Sequence, residues 1–162
     1  DSIHLPKDIR VIKDYSLLKI TTEKSLSLSE REIQPPCEID LKEAHMVLNA
    51  AFEENGGDSG DGRSSVLLDA DNMTFPLKIR ARVAGDFFYP LGFGKKKKLQ
   101  DFFVDEKIPR DERDRVPIVV SGNDIIWVAG YRADDRFNVT EETKRFLRLA
   151  ISKSISDDRR KL

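Results

Sequence analysis

The stretch "VPIVVSGNDIIWVAGYR", residues 116–132, constrains the fold more than any other segment. Two β-rich runs flank "SGND", where Gly122-Asn123 offers the positive φ angles of a tight hairpin turn. Runs joined this closely can pair only antiparallel, because a parallel pair needs a long crossover. Other segments repeat the theme. In "FPLKIRARV", Leu77, Ile79, Ala81 and Val83 alternate with Lys78, Arg80 and Arg82, so the strand has one apolar and one wholly basic face. "DIRVIKD" and "SLLKITT" read as a hairpin over 9–21, joined near Asp14 and Tyr15. A short strand is expected at Cys37–Leu41, after the break at Pro35-Pro36. "KEAHMVLNAAFEE" fits both a period of two and a helical spacing, and is read as a strand with the helix left open.

Helices are expected in three places. Leu99, Phe102 and Phe103 recur at helical spacing, predicting a short amphipathic helix over about 97–106. Pro109 suits the first position of another, over about 109–115. Thr140 can cap a C-terminal helix over about 140–155, with Glu141 and Glu142 complementing its dipole. The predicted class is therefore α+β, mainly antiparallel hairpins in a sandwich-like arrangement. Phe102, Phe103, Trp127 and Leu147 are expected to share one core. "NGGDSGDGRSS", 55–65, reads as a flexible loop, and 156–162 as a disordered tail.

A length of 162 residues suits one domain with a real core, and 39% hydrophobic with 35% charged residues suits a soluble globular chain. No apolar stretch approaches the ~18 residues of a membrane span, and "DSIHLPKDIR" lacks a signal-peptide layout. The chain opens on Asp1, so more protein is expected upstream. A lone cysteine, Cys37, rules out an internal disulfide and suits a reducing cytosol. The formal charge of −1 hides an asymmetry. Residues 1–76 hold 8 Lys/Arg against 15 Asp/Glu, whereas residues 77–115 hold 11 against 7. A basic excess in one region hints at a polyanionic partner.

Enzyme chemistry has no visible equipment. "GGDSGDG" lacks the leading Ser of a pyrophosphatase-type phosphate loop and the strand-to-helix context that would aim N–H groups at phosphate. "GFGKKKK" is no Walker loop, since no G-K-[ST] closes it. His4, His45 and Cys37 have no partner at metal-ligand spacing. Asp69 and Asp71 in "LDAD" are read as an acidic strand end rather than a cation site. The sequence therefore assigns no catalytic, cofactor-binding or metal-binding residue. What stands out is Lys95–Lys98, with basic residues upstream on 78–82 and downstream on 107–115, interleaved with Phe87, Phe88, Tyr89 and Phe93. Such a stripe suits phosphate contacts, although Asp111, Glu112 and Asp114 compete for the arginines beside them.

A longer pattern contains these residues. L-D-A-D at Leu68–Asp71 is followed by L-x-x-R-x-R-x-x-G-D-x-F-x-P-x-G at Leu77–Gly92. K-K-L-x-D-F-F-x-D-x-K-I-P-R-x-x-R-D-x-x-P follows at Lys97–Pro117, and W-V-x-G-x-R at Trp127–Arg132. In this order the segments resemble the C-terminal region of the tRNA(Ile)-lysidine synthetase family. Phe87 stands where many members carry Arg, leaving one phosphate contact missing or supplied by neighbouring lysines. The resemblance implies a single C-terminal tRNA-binding domain over 1–155, with a β-rich start at 1–53 and a signature-bearing core at 66–155. It is also similar to a domain of the phenylalanyl-tRNA synthetase β chain.

Further expectations follow from the family. Its enzyme attaches lysine to the wobble cytidine of a minor isoleucine tRNA. ATP is bound in an N-terminal pyrophosphatase-type domain that this chain lacks, so this chain alone should be inactive. The resemblance implies contact with the acceptor stem through Lys78, Arg80, Arg82, Lys95, Lys96, Lys97, Lys98, Lys107, Arg110, Arg113 and Arg132. It also implies the N-terminal catalytic domain as partner, a possible homodimer, and a cytoplasmic, membrane-free setting. A packing module without tRNA contact is the competing reading. An independent catalyst is the third.

Overall fold

The computed structural model describes residues 2–4, 10–14, 17–21 and 27–154; the expected tail at 156–162 lies outside them. Three strands, β1 (Ser2–His4), β2 (Arg10–Asp14) and β3 (Leu17–Thr21), pair antiparallel in that order. The hairpin read over 9–21 is thus present. Two larger antiparallel sheets build the rest. One runs β13 (Arg132–Ala133), β12 (Asp124–Val128), β11 (Ile118–Ser121), β8 (Leu77–Arg80), β4 (Arg31–Ile33). The other runs β5 (Cys37–Leu41), β6 (Met46–Glu53), β14 (Phe146–Lys153), β7 (Ser65–Asp69). A two-stranded ribbon, β9 (Phe87–Phe88) with β10 (Lys97–Lys98), leads into α1 (Leu99–Asp105). A 3-10 segment at Arg110–Arg115 occupies the place of the second expected helix.

The five-stranded sheet is covered on both faces, which explains the unbroken apolar runs of β11 and β12. Val119 joins Leu77, Ile79 and Trp127 against Leu48, Leu68, Leu147 and Leu149 of the four-stranded sheet. On its other face Ile118, Val120, Ile125 and Val128 meet Phe88, Leu99, Phe102 and Phe103. The single expected core is therefore two. Trp127 and Leu147 lie in the first and Phe102 and Phe103 in the second, because alternate residues of one strand leave on opposite faces. A register shift between Val119 and Val120 modifies the alternation and sends both Ile126 and Trp127 into the first core. At the tip of this hairpin Gly122 has a φ of 60°, the left-handed value that its position in the tight turn requires.

The expected C-terminal helix at 140–155 is instead the central strand β14, paired with β6 on one side and β7 on the other. Leu147 and Leu149 are buried and alternate with the half-buried Arg148 and Ala150, a period of two. Thr140 does act locally, but in a turn. Its Oγ1 accepts from Glu142 N at 3.2 Å, while Thr143 Oγ1 accepts from Thr140 N at 2.9 Å. The LDAD acids brace the same turn. Thr143 Oγ1 donates to Asp69 at 2.8 Å, and Asp71 accepts from the N–H groups of Lys144 and Arg145 at 3.0 and 2.7 Å. Segment 54–64 is irregular, as expected for a loop, and is tied by Asp61 to the N–H groups of Arg63, Ser64 and Ser65.

Candidate nucleic-acid interface

The lysine run sits on the β9–β10 ribbon, where Lys97 pairs with Phe88 and Lys98 with Phe87. Between them the chain turns outward through Gly92 and Gly94, both left-handed at φ 87° and 84°. Core contacts hold the base of this turn. Phe88 is fully buried, Leu91 N donates to Ala133 O at 3.0 Å, and Asp135 N donates to Tyr89 O at 2.7 Å. Asp134, whose side chain is 0% exposed, accepts from Tyr89 N at 2.9 Å. It also accepts from the guanidinium of Arg136 at 3.0 Å through each of Nε and Nη2. That carboxylate raises the pKa of Arg136, against the opposing effect of burial, so the guanidinium is held in its charged form.

The eleven basic residues named above occupy different environments. Arg80 makes a bidentate pair with Asp86, at 2.9 and 3.0 Å, and Asp86 also accepts from Val83 N at 2.8 Å. Signature residues Arg80 and Asp86 are thus each other's partners, closing the turn after β8. Arg82 donates to Asp114 at 2.9 Å, Arg132 to Glu106 at 3.4 Å, and Lys97 pairs with Asp105. Arg113 is buried and donates from Nε to Ile108 O at 2.9 Å. Lys78, Lys95, Lys96, Lys98, Lys107 and Arg110 have exposed side chains. The basic face expected for the 77–83 strand is consequently divided, since β8 ends at Arg80 and both arginines turn toward acids.

Lys95, Lys96, Lys97 and Lys98 share a groove of about 490 Å³ with Phe93, Asp101, Val104 and Asp105. Aromatic rings lie directly under the ammonium groups. Lys96 Nζ is 3.9 Å from the centre of the Phe87 ring, and Lys95 and Lys97 are 5.4 and 4.7 Å from that of Phe93. Sequence reasoning did not single out Asp134 and Arg136, the residues that fasten this surface from behind. The only signal was the charge-dense "RADDRF" beside the W-V-x-G-x-R segment.

Residues 77–150 match the model of the TilS substrate C-terminal domain. The tRNA(Ile)-lysidine synthase of Caldanaerobacter subterraneus subsp. tengcongensis is 32% identical, over 93% of this chain and 33% of that protein. The enzyme of Persephonella marina is 35% identical, over 90% of this chain and 33% of its own length. A crystal structure of a TilS C-terminal domain superposes with a TM-score of 0.69 at 29% identity, covering 76% of this chain and 95% of that one. The chain spans about a third of the length of the curated relatives it matches. On its signature segments, its sheets and these likenesses, the chain belongs to the TilS substrate C-terminal domain family, the C-terminal domain of tRNA(Ile)-lysidine synthase.

Proposed function

We propose that this domain is the tRNA-holding part of a lysidine-forming ligase. It grips the acceptor stem of an isoleucine tRNA, while an N-terminal catalytic domain outside this chain adenylates the wobble cytidine with ATP and adds lysine. The setting is the cytoplasm, and the partners are tRNA and the catalytic domain. One observation carries the reading: Lys95, Lys96 and Lys98 project from an outward turn whose base is locked to the core. Lysines placed this way offer ammonium groups to phosphates without reading sequence, giving affinity and registration. Arg80, Arg82, Arg113 and Arg132 shape the surface through the protein partners described above.

A salt series of tRNA titrations tests this. Each phosphate contact contributes roughly 0.7–0.9 to the slope of log affinity against log salt, by analogy with DNA. Lys95→Ala with Lys96→Ala should flatten the slope by about one to two units, and should weaken isoleucine and methionine tRNAs alike. An unchanged slope would return these lysines to a solvated turn and favour the packing reading.

A further inference from the structure

Among the described residues six large hydrophobic side chains are exposed, and five of them, Val83, Phe87, Leu91, Phe93 and Val104, fall within the stretch that carries the lysines. Phosphate binding alone does not call for them. Phe87 and Phe93 are 38% and 40% exposed, on the same ribbon as Lys95 and Lys96. The groove beside Phe93 has an apolar side at Phe93 and Val104 and a basic side along the lysines. Its ~490 Å³ is within the range of small-ligand sites.

An A-form duplex keeps its bases stacked inside, so an exposed phenylalanine finds a base face only where the stack ends or where a base has left it. We infer that Phe87 and Phe93 are stacking platforms for unpaired nucleotides, and that this face grips the junction between a duplex and its single-stranded end. The inference rests on the reading that the lysine turn binds RNA. Without RNA, the ammonium groups of Lys95, Lys96 and Lys97 cover the two rings. A phosphate draws an ammonium off the ring, and the uncovered ring receives the adjoining base. Asp101 and Asp105 repel phosphate from their side of the groove, which directs the backbone toward Lys95, Lys96 and Lys98.

The test uses the whole chain and two probes: a blunt RNA hairpin, and the same hairpin with an unpaired extension of about four nucleotides at its 3′ end. Stacking on an aromatic side chain predicts that the extension tightens binding by about tenfold or more. Phe87→Ala and Phe93→Ala should each remove most of that gain, bringing the ratio of the two affinities close to one. Lys95→Ala with Lys96→Ala should weaken both probes. Phe93→Trp should keep the preference, and its emission should fall when the extended hairpin binds. That emission decides the matter if an alanine variant fails to fold. Equal, salt-dependent affinity for the two probes, or unquenched emission, would overturn the stacking role and leave the phosphate reading intact. Binding to neither probe would overturn both, as expected of a face that packs on another protein.

Discussion

Replacing Asp134 by Ala should loosen the lysine turn from behind. The Asp134 carboxylate accepts four hydrogen bonds: from Tyr89 N at 2.9 Å, Arg136 N at 2.8 Å, and Arg136 Nε and Nη2 at 3.0 Å each. Alanine removes these acceptors and leaves the backbone N–H groups of Tyr89 and Arg136 without them, while the Arg136 guanidinium keeps its pair with Asp124 at 3.1 Å. Breaking a buried charge pair from one side costs about 3–5 kcal/mol. Because the Arg136 side chain is 34% exposed, water recovers part of its share, so we expect about 2–3 kcal/mol. With a urea slope of about 1.5 kcal/mol per molar, the midpoint should fall by roughly 1.3–2 M. Asp134→Asn keeps an acceptor and should lose less. The assay is urea unfolding followed by Trp127 emission, with a tRNA titration of the folded variant showing weaker binding. A midpoint within about 0.3 M of wild type would refute the reasoning, since a buried carboxylate with four donors would then contribute almost nothing.

Three other changes probe different parts of the molecule. Phe103→Ala should cost about 3–5 kcal/mol in urea unfolding, because Phe103 is fully buried in the helix-side core. Leu149→Ala, at the middle of β14, should cost about 2–5 kcal/mol, and an unaltered midpoint would contradict its burial between the sheets. Donation from the Ser64 hydroxyl, then from the N–H groups of Arg63, Ser65 and Ser64, holds the Asp61 carboxyl well below the usual carboxylate range. Its contribution is therefore present above the unfolded value of about 4 and is lost only as pH falls through the depressed folded value. The amide shifts of Ser64 and Ser65 should stay flat down to about pH 3, and a titration centred near 4 would show that the hydrogen bonds do not persist in solution.

The hairpin of β11 and β12 was legible because β-branched runs and Gly122 agree on one structure, and α1 because Leu99, Phe102 and Phe103 share one face. The strand β14 was not. Thr140 followed by two glutamates imitates a helix start, and the pull toward strand comes from pairing with β6 and β7, residues far away in the chain. Distance also hid the state of the basic residues. Arg82 is matched by Asp114 and Arg132 by Glu106, pairings that only the folded chain reveals. The two-core arrangement has the same origin, since period-two alternation does not say that both faces of a sheet are covered.

The place of β14 has a consequence for synthesis. It is the last strand of the described residues, yet it separates β6 from β7, and neither of those pairs with the other. From Glu53, the end of β6, to Phe146, the start of β14, the ribosome must add 93 residues. At ~5–20 residues per second that takes roughly 5–20 s. Throughout that interval the hairpin of β5 and β6 shows an open edge to the cell, with the apolar Leu48 and Ala50 uncovered by their final neighbours. The four-stranded sheet therefore closes only after nearly all of the domain has been translated. A message cut short before the codon for Phe146 would yield a product whose remaining strands lack their common partner, and whose open edges invite aggregation instead of a smaller working domain.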